Sequence, residues 1–277
     1  MVQAEPGAGK PGGRSAGILA AVDSDAIARA VLEAGRSLAR VFQAELEAVH
    51  IGGDGIATIQ ALARTANVPL RLLPGSSVDS LTDALDAEDV LLGVLGSRAS
   101  PGGRRPVGST AFAAIHKVSR PLVVVSPDLA PDQTTRLQRV LVPLDGSDAT
   151  AEAIQKMARR LCASSVKVTV LHVFDKEHVP QFMDHMPEAL ETWNTEFLER
   201  YFEECEVGLE TRAGEPPEAV LEVAATERAD MIVLSWGQDL SQDRANLVRE
   251  VLTSASVPVM LVPLKPGVPR DVLEPSG

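Results

Sequence analysis

"LVPLDGSD", Leu141 to Asp148, is an apolar run that stops on an acid, a glycine and a serine. Apolar residues with little alternation suit a strand buried on both faces. Asp-Gly-Ser is turn and helix-start chemistry, because glycine accepts positive φ and Asp or Ser can cap open amides. The stretch reads as a strand running through a tight turn into a helix. Ala20-Ala-Val-Asp23-Ser24 matches it in the first half of the chain. A second match sets Arg120-Pro121-Leu-Val-Val-Val125 against Val257-Pro258-Val-Met-Leu-Val262. One unit is written twice.

The spacing outward from these anchors predicts the rest. Strands are expected near 17–22, 45–51, 69–73, 90–95 and 122–125, then near 139–144, 167–174, 206–210, 231–235 and 259–262. Helices are expected between them, near 24–41, 55–66, 78–87 and 109–118, then near 148–161, 187–202, 217–228 and 244–254. "SPDLAPDQTT", Ser126 to Thr135, is polar, proline-bearing and aperiodic, as a linker should be. The expected division is a disordered tail over 1–15, a domain over 16–127, a linker over 128–138, a second domain over 139–264 and a tail over 265–277. Each domain is an α/β unit, βαβαβαβαβ, with right-handed crossovers and helices on both faces of a five-stranded parallel sheet.

Composition narrows the function. The 277 residues are 45% hydrophobic but only 3% aromatic, so the cores are built from Val, Leu, Ile and Ala. A net charge of -12 and few aromatic stacking platforms argue against a nucleic-acid partner. No apolar stretch nears the roughly 18 residues that span a bilayer, and the N-terminus lacks the apolar region of a signal peptide. Gly7-Ala8-Gly9-Lys10 lacks a following Ser or Thr and a preceding strand, so it is not a phosphate loop. The two cysteines, Cys162 and Cys205, have neither disulfide-framework nor zinc spacing and are expected to be free thiols in a reducing cytoplasm.

A ligand is expected beyond the carboxyl ends of strands one and four, where the winding of such a sheet reverses. Asp23 and Ser24 follow strand one. "GSRASPGGRRPVGST", Gly96 to Thr110, follows strand four, with four glycines, three arginines and no acid. Glycines let a backbone approach an anion, and Gly108-Ser109 opens a helix whose amides and dipole favour phosphate. Ser109 is a natural N-cap. Arg104 and Arg105 could make charge-assisted contacts, and Asp23 could accept from ribose hydroxyls. Against this, turns need glycine anyway, surface arginines are mostly solvated, and Asp23 could be only a helix cap.

"AAVDS" and "LVPLDGSD" on strand one, "VTVLHVFD" on strand two, "ADMIVLSWG" on strand four, and "PLVVVSP" and "VPVMLVP" on strand five resemble universal stress proteins. The resemblance runs from about Ala16 to Leu264 as a tandem pair. It implies two Rossmann-like domains of the adenine-nucleotide hydrolase type, each with strand order 3-2-1-4-5, in a cytoplasmic protein. Nucleotide-binding members carry Gly-x-x-Gly, nine residues, then Gly-Ser or Gly-Thr after strand four, and use the aspartate ending strand one. The first domain keeps Asp23, Gly96 and Gly108-Ser109, departs at Ala99, and has eight spacer residues, Ser100 to Val107. Its implied site comprises Asp23, Gly96, Ser97, Arg104, Arg105, Gly108 and Ser109, holding ATP or another adenine nucleotide. The second domain keeps Asp145 and Gly237, but Leu234 or Ser235 replaces the first glycine and Ala245-Asn246 replaces Gly-Ser. Asp239 and Asp243 would repel phosphates there, so no nucleotide is expected in the second domain.

Other motifs carry less. Asp145-Gly146-Ser147 lacks the second acid of a phosphatase nucleophile loop, and no Gly-x-Ser-x-Gly elbow occurs. "KEHVPQFMDHMPE", Lys176 to Glu188, gathers His178, Asp184 and His185, which reads as a loop over the crevice more readily than as a metal site. His172 reads as a satisfied core histidine. Three readings remain: a tandem universal stress protein acting as a binding or regulatory module with at most one nucleotide site, an interaction protein with both sites lost, and a slow ATP hydrolase. No catalytic residue is assigned. The resemblance also implies pairing of the two fifth strands within the chain, and leaves association into a homo-oligomer open.

Overall fold

The computed structural model describes residues 17–23, 27–52, 55–75, 78–97, 107–127, 129, 136–174, 195, 198–199, 201–202, 205–237 and 243–264. The first half carries β1 (Gly17–Ala21), α1 (Ile27–Phe42), β2 (Leu46–Ile51), α2 (Ile56–Ala66), β3 (Leu70–Leu73), α3 (Val78–Leu85), β4 (Val90–Gly96), α4 (Ser109–Lys117) and β5 (Leu122–Val125). The second carries β6 (Arg139–Leu144), α5 (Asp148–Ala163), β7 (Lys167–Phe174), β8 (Val207–Ala213), α6 (Pro216–Thr226), β9 (Met231–Trp236), α7 (Asp243–Ser254) and β10 (Val259–Pro263). The expected elements are present, most within two residues of their predicted ends. The helix expected over 187–202 lies largely outside the described residues, although Tyr201 and Phe202 are helical. β8 runs three residues further than its apolar pattern predicts. It is an edge strand, so Thr211 and Arg212 can join the ladder with β7 while meeting solvent.

The strands form one ten-stranded sheet in the order β3-β2-β1-β4-β5-β10-β9-β6-β7-β8. Each half therefore has the order 3-2-1-4-5. Pairing is parallel within each half and antiparallel where β5 meets β10, with Val124 opposite Val259 and Leu122 opposite Leu261. All four residues of β5 are buried. This junction gives two apolar strand edges a partner, the pairing that the family resemblance implies.

Strand alternation sorts the core into two layers. Ile18, Ala20, Val94 and Val123 face the layer of α1 and α5. Leu19, Leu95, Leu122 and Val124 face the layer of α3, α4 and α7. Both layers continue across the junction between halves. At about 1.5–3 kcal/mol per buried Val, Leu or Ile, this shared burial binds the halves firmly.

The cysteines correct the expectation of free thiols. Cys162, in the last turn of α5, is bonded to Cys205, with Cα atoms 5.8 Å apart. Their separation of 43 residues conceals that Tyr201 and Phe202, just before Cys205, pack in the same core layer as α5.

Candidate functional site

β1 ends at Ala21, and Val22 and Asp23 continue past the sheet edge. Beside them β4 ends on Gly96, and α4 begins at Ser109. These ends enclose a cleft of about 380 Å³ lined by Asp23, Gly96, Gly108 and Ser109. Four of the seven predicted site residues thus share one cavity. Ser97 does not join them: it is 2% exposed, and its amide donates to Val125 O at 2.8 Å. Arg104 and Arg105 lie outside the described residues, as do Ala99, His178, Asp184 and His185.

Gly108, not Ser109, is the N-cap of α4. It makes no side-chain cap bond. The amides of a helix's first turn have no intrahelical acceptor, so this end presents N–H groups and a positive dipole end to the cleft. Gly108 has φ −62° and ψ 163°, a conformation open to any residue. Gly96 has a different reason to be glycine. A Cβ there would sit 2.8 Å from Ile27 Cδ1, so a side chain would have to displace Ile27 of α1.

The far end of α4 is held in three ways. Lys117 Nζ lies 2.6 Å from Asp79 Oδ1 on α3, an exposed pair that raises the lysine's pKa through its hydrogen bond to that carboxylate. Asp86 Oδ1 accepts from Ser119 N at 2.9 Å and Ser119 Oγ at 2.6 Å. Trp236 Nε1, from the other half, donates to Ile115 O at 3.1 Å. These contacts aim the N-terminus of α4 at the cleft.

The cleft has an apolar wall, including Val49, Ile51 and Leu81, suited to a flat ring. His50 also lines it, a residue the sequence reading missed. Its Nδ1 lies 2.9 Å from Val22 O. A carbonyl only accepts, so Nδ1 carries the proton. His172 Nδ1 makes the same contact with Leu144 O at 3.0 Å, over the same 28-residue spacing. The missed signal was this paired placement of a histidine near the end of each second strand.

That symmetry equates Asp23 with Asp145, but the second crevice is built differently. Asp145 Oδ1 accepts from Ser147 N at 3.1 Å, Ser147 Oγ at 2.8 Å and Thr150 Oγ1 at 2.6 Å. Its carboxylate stabilises the start of α5, through a turn that needs Gly146 at φ +81°. Gly96 pairs with Val125, the fourth residue of β5, and Ser235 pairs with Val262, the fourth of β10. Ser235 therefore stands in the first glycine's place and Trp236 in that of Ser97. The indole is 2% exposed, and its ring lies edge-on to His116 at 6.0 Å. Burial lowers the pKa of His172.

No group of three metal-ligating side chains occurs among the described residues, and no helix among them is long and apolar enough to cross a membrane.

Residues 136–263 match the universal stress protein family model. No curated protein sequence matches the chain. A universal stress protein from Archaeoglobus fulgidus DSM 4304 is 17% identical, with 90% of this chain and 98% of that one covered at a TM-score of 0.62. A Pseudomonas aeruginosa UCBPP-PA14 protein assigned to the same family is 15% identical, with 90% and 93% covered at 0.62. A universal stress protein solved in complex with cAMP is 22% identical over 47% of this chain and 98% of that one, at 0.36. The full-length matches carry the fold across both halves.

Proposed function

From a second half that is a universal stress protein domain and a first half that repeats its fold, we propose a tandem universal stress protein with domains over 16–127 and 139–264. It acts as a cytoplasmic binding or regulatory module with a single adenine-nucleotide site, in the first domain. Asp23 accepts from ribose hydroxyls, and the opening turn of α4 at Gly108 and Ser109 takes the phosphates. Arg104 and Arg105 add charge at the rim. The observation that carries this reading is the meeting of Asp23, Gly96, Gly108 and Ser109 in one cleft.

The test is to purify the protein without added nucleotide, denature it, and identify released small molecules by chromatography and mass spectrometry. ATP, ADP or AMP near one per chain is expected, or saturable heat on titration with ATP at a stoichiometry of one. A protein that is empty and gives no heat with ATP would overturn the nucleotide site and turn the search to protein partners.

A further inference from the structure

We propose that Cys162 and Cys205 form a reversible thiol–disulfide site, exchanging with a small thiol and its disulfide, that controls how firmly the turn before β8 is held to the last turn of α5. The two residues sit where a bond can close without moving backbone: Cα to Cα is 5.8 Å, inside the usual range. Both are half-buried, so a small thiol can reach sulfur.

The fold does not depend on the bond. Small domains with poor cores use disulfides as staples, whereas this sheet is covered on both faces by apolar layers. The turn itself has other anchors. Tyr201 and Phe202 are 6% and 2% exposed within the core, and the Tyr201 hydroxyl donates to Asp148 at the start of α5. When the bond opens, these side chains keep the segment near the helix, so the sulfurs stay close enough to close again. A bond that can open without unfolding its surroundings is a switch.

The switch sits beside the boundary between halves. Two residues beyond Cys162, Ser164 Oγ donates to Val41 O at the end of α1. Phe42, Leu91, Arg160 and Ala163 line a crevice of about 340 Å³ at this point. Freeing the last turn of α5 therefore loosens a contact that crosses from one half to the other.

The chemistry balances with a thiol as reductant. A thiolate RS⁻ attacks one cysteine sulfur, forming a mixed disulfide and expelling the other cysteine as thiolate. A second RS⁻ attacks the mixed disulfide, releasing RSSR and the second cysteine thiolate. The protein gains two electrons and, on protonation, two protons. RSSR drives the reverse.

The experiment equilibrates the full chain in buffers of varied reduced to oxidised glutathione ratio, traps thiols by alkylation, and counts them by mass. The expected result is one two-electron transition under native conditions, with retained circular dichroism. Amide exchange in the last turn of α5 should be at least about tenfold faster in the reduced protein. The double variant Cys162→Ser/Cys205→Ser should match the reduced protein in amide exchange and ignore the buffer, whereas each single variant should show only a mixed disulfide with glutathione. Persistence of the bond in excess reduced glutathione until denaturant is added would overturn the proposal. So would two thiols at every ratio, loss of folded structure on reduction, or unchanged exchange in α5.

Discussion

Beyond β1, Asp23 stands at the rim of a cleft of about 380 Å³. Beyond β6, the matching Asp145 is exposed and accepts from Ser147 and Thr150, and a buried Trp236 ends the neighbouring strand. The backbone plan of the two places is the same, down to the histidine on each second strand that donates to the end of each first strand. What differs is the bulk at the end of strand four, Ser97 in one half and Trp236 in the other. In the second half the aspartate stabilises a helix start, and strand four carries an indole that reaches across to α4 of the first half. The second crevice has become part of the support for the first. The repeated scaffold is the same in both halves, and the side chains at the end of strand four differ.

Removing the indole tests that comparison most severely. Trp236→Ala deletes a side chain that is 2% exposed and leaves Ile115 O without its donor. Stability measured by urea unfolding should fall by about 3–5 kcal/mol, typical of a buried aromatic truncated to alanine. Trp236→Phe keeps most of the packing and loses the N–H, so it should cost roughly 1–3 kcal/mol. In either variant ATP titration should still report one site, because Asp145 remains tied to Thr150. A second site appearing in Trp236→Ala would mean that the indole alone closes the second crevice.

Gly108 and Gly96 separate ligand from packing on the open side. Gly108→Val should fold normally, since φ −62° and ψ 163° suit a β-branched residue. It should lower ATP affinity about 100-fold, or about 2.7 kcal/mol, by placing bulk over the first turn of α4. Unchanged affinity would remove Gly108 from the site. Gly96→Ala should do the opposite. Its methyl meets Ile27 at 2.8 Å, and overpacking costs about 1–3 kcal/mol of stability. Its effect on ATP should be the smaller of its two effects; a loss of binding at full stability would reverse that assignment.

Much of this was legible in the chain. Val- and Leu-rich runs bounded by Gly, Pro and Asp placed nearly all the elements, because parallel strands buried on both faces leave that pattern. Asp23 and Gly108 could be named because strand-end chemistry is local. Four features were not legible. Ser97 looked like part of a glycine loop, but its amide completes the ladder with β5, which only strand register reveals. The contact of Trp236 with Ile115 and the bond from Cys162 to Cys205 join residues distant in sequence. The packing partner of Gly96, Ile27, lies on another element, so its glycine read as ligand chemistry while a steric reason went unseen.

His172 gives the finest test of the comparison. Burial disfavours its charged form and lowers its pKa from 6.5, and the bond to Leu144 O offsets this only in part. The sign follows from proton counting. Above pH 6.5 the ring is neutral in both states and costs nothing. As pH falls through 6.5, the unfolded chain takes a proton that the folded ring refuses, so stability declines. The decline ends once the folded ring also protonates. His172→Gln can still donate an amide N–H to Leu144 O but cannot titrate. Urea unfolding at pH 7.5, 6.5 and 5.5 should show a steeper loss for the wild type than for this variant, with carboxylate contributions common to both. Equal slopes would mean that the folded ring accepts its proton as readily as the unfolded one. Because a Cβ at Gly146 would lie 3.4 Å from His172 Cε1, the ring sits behind the Asp145 turn, in the second half. ATP affinity should therefore be the same in His172→Gln as in the wild type at every pH, and a change would mean that the two crevices are coupled through the sheet.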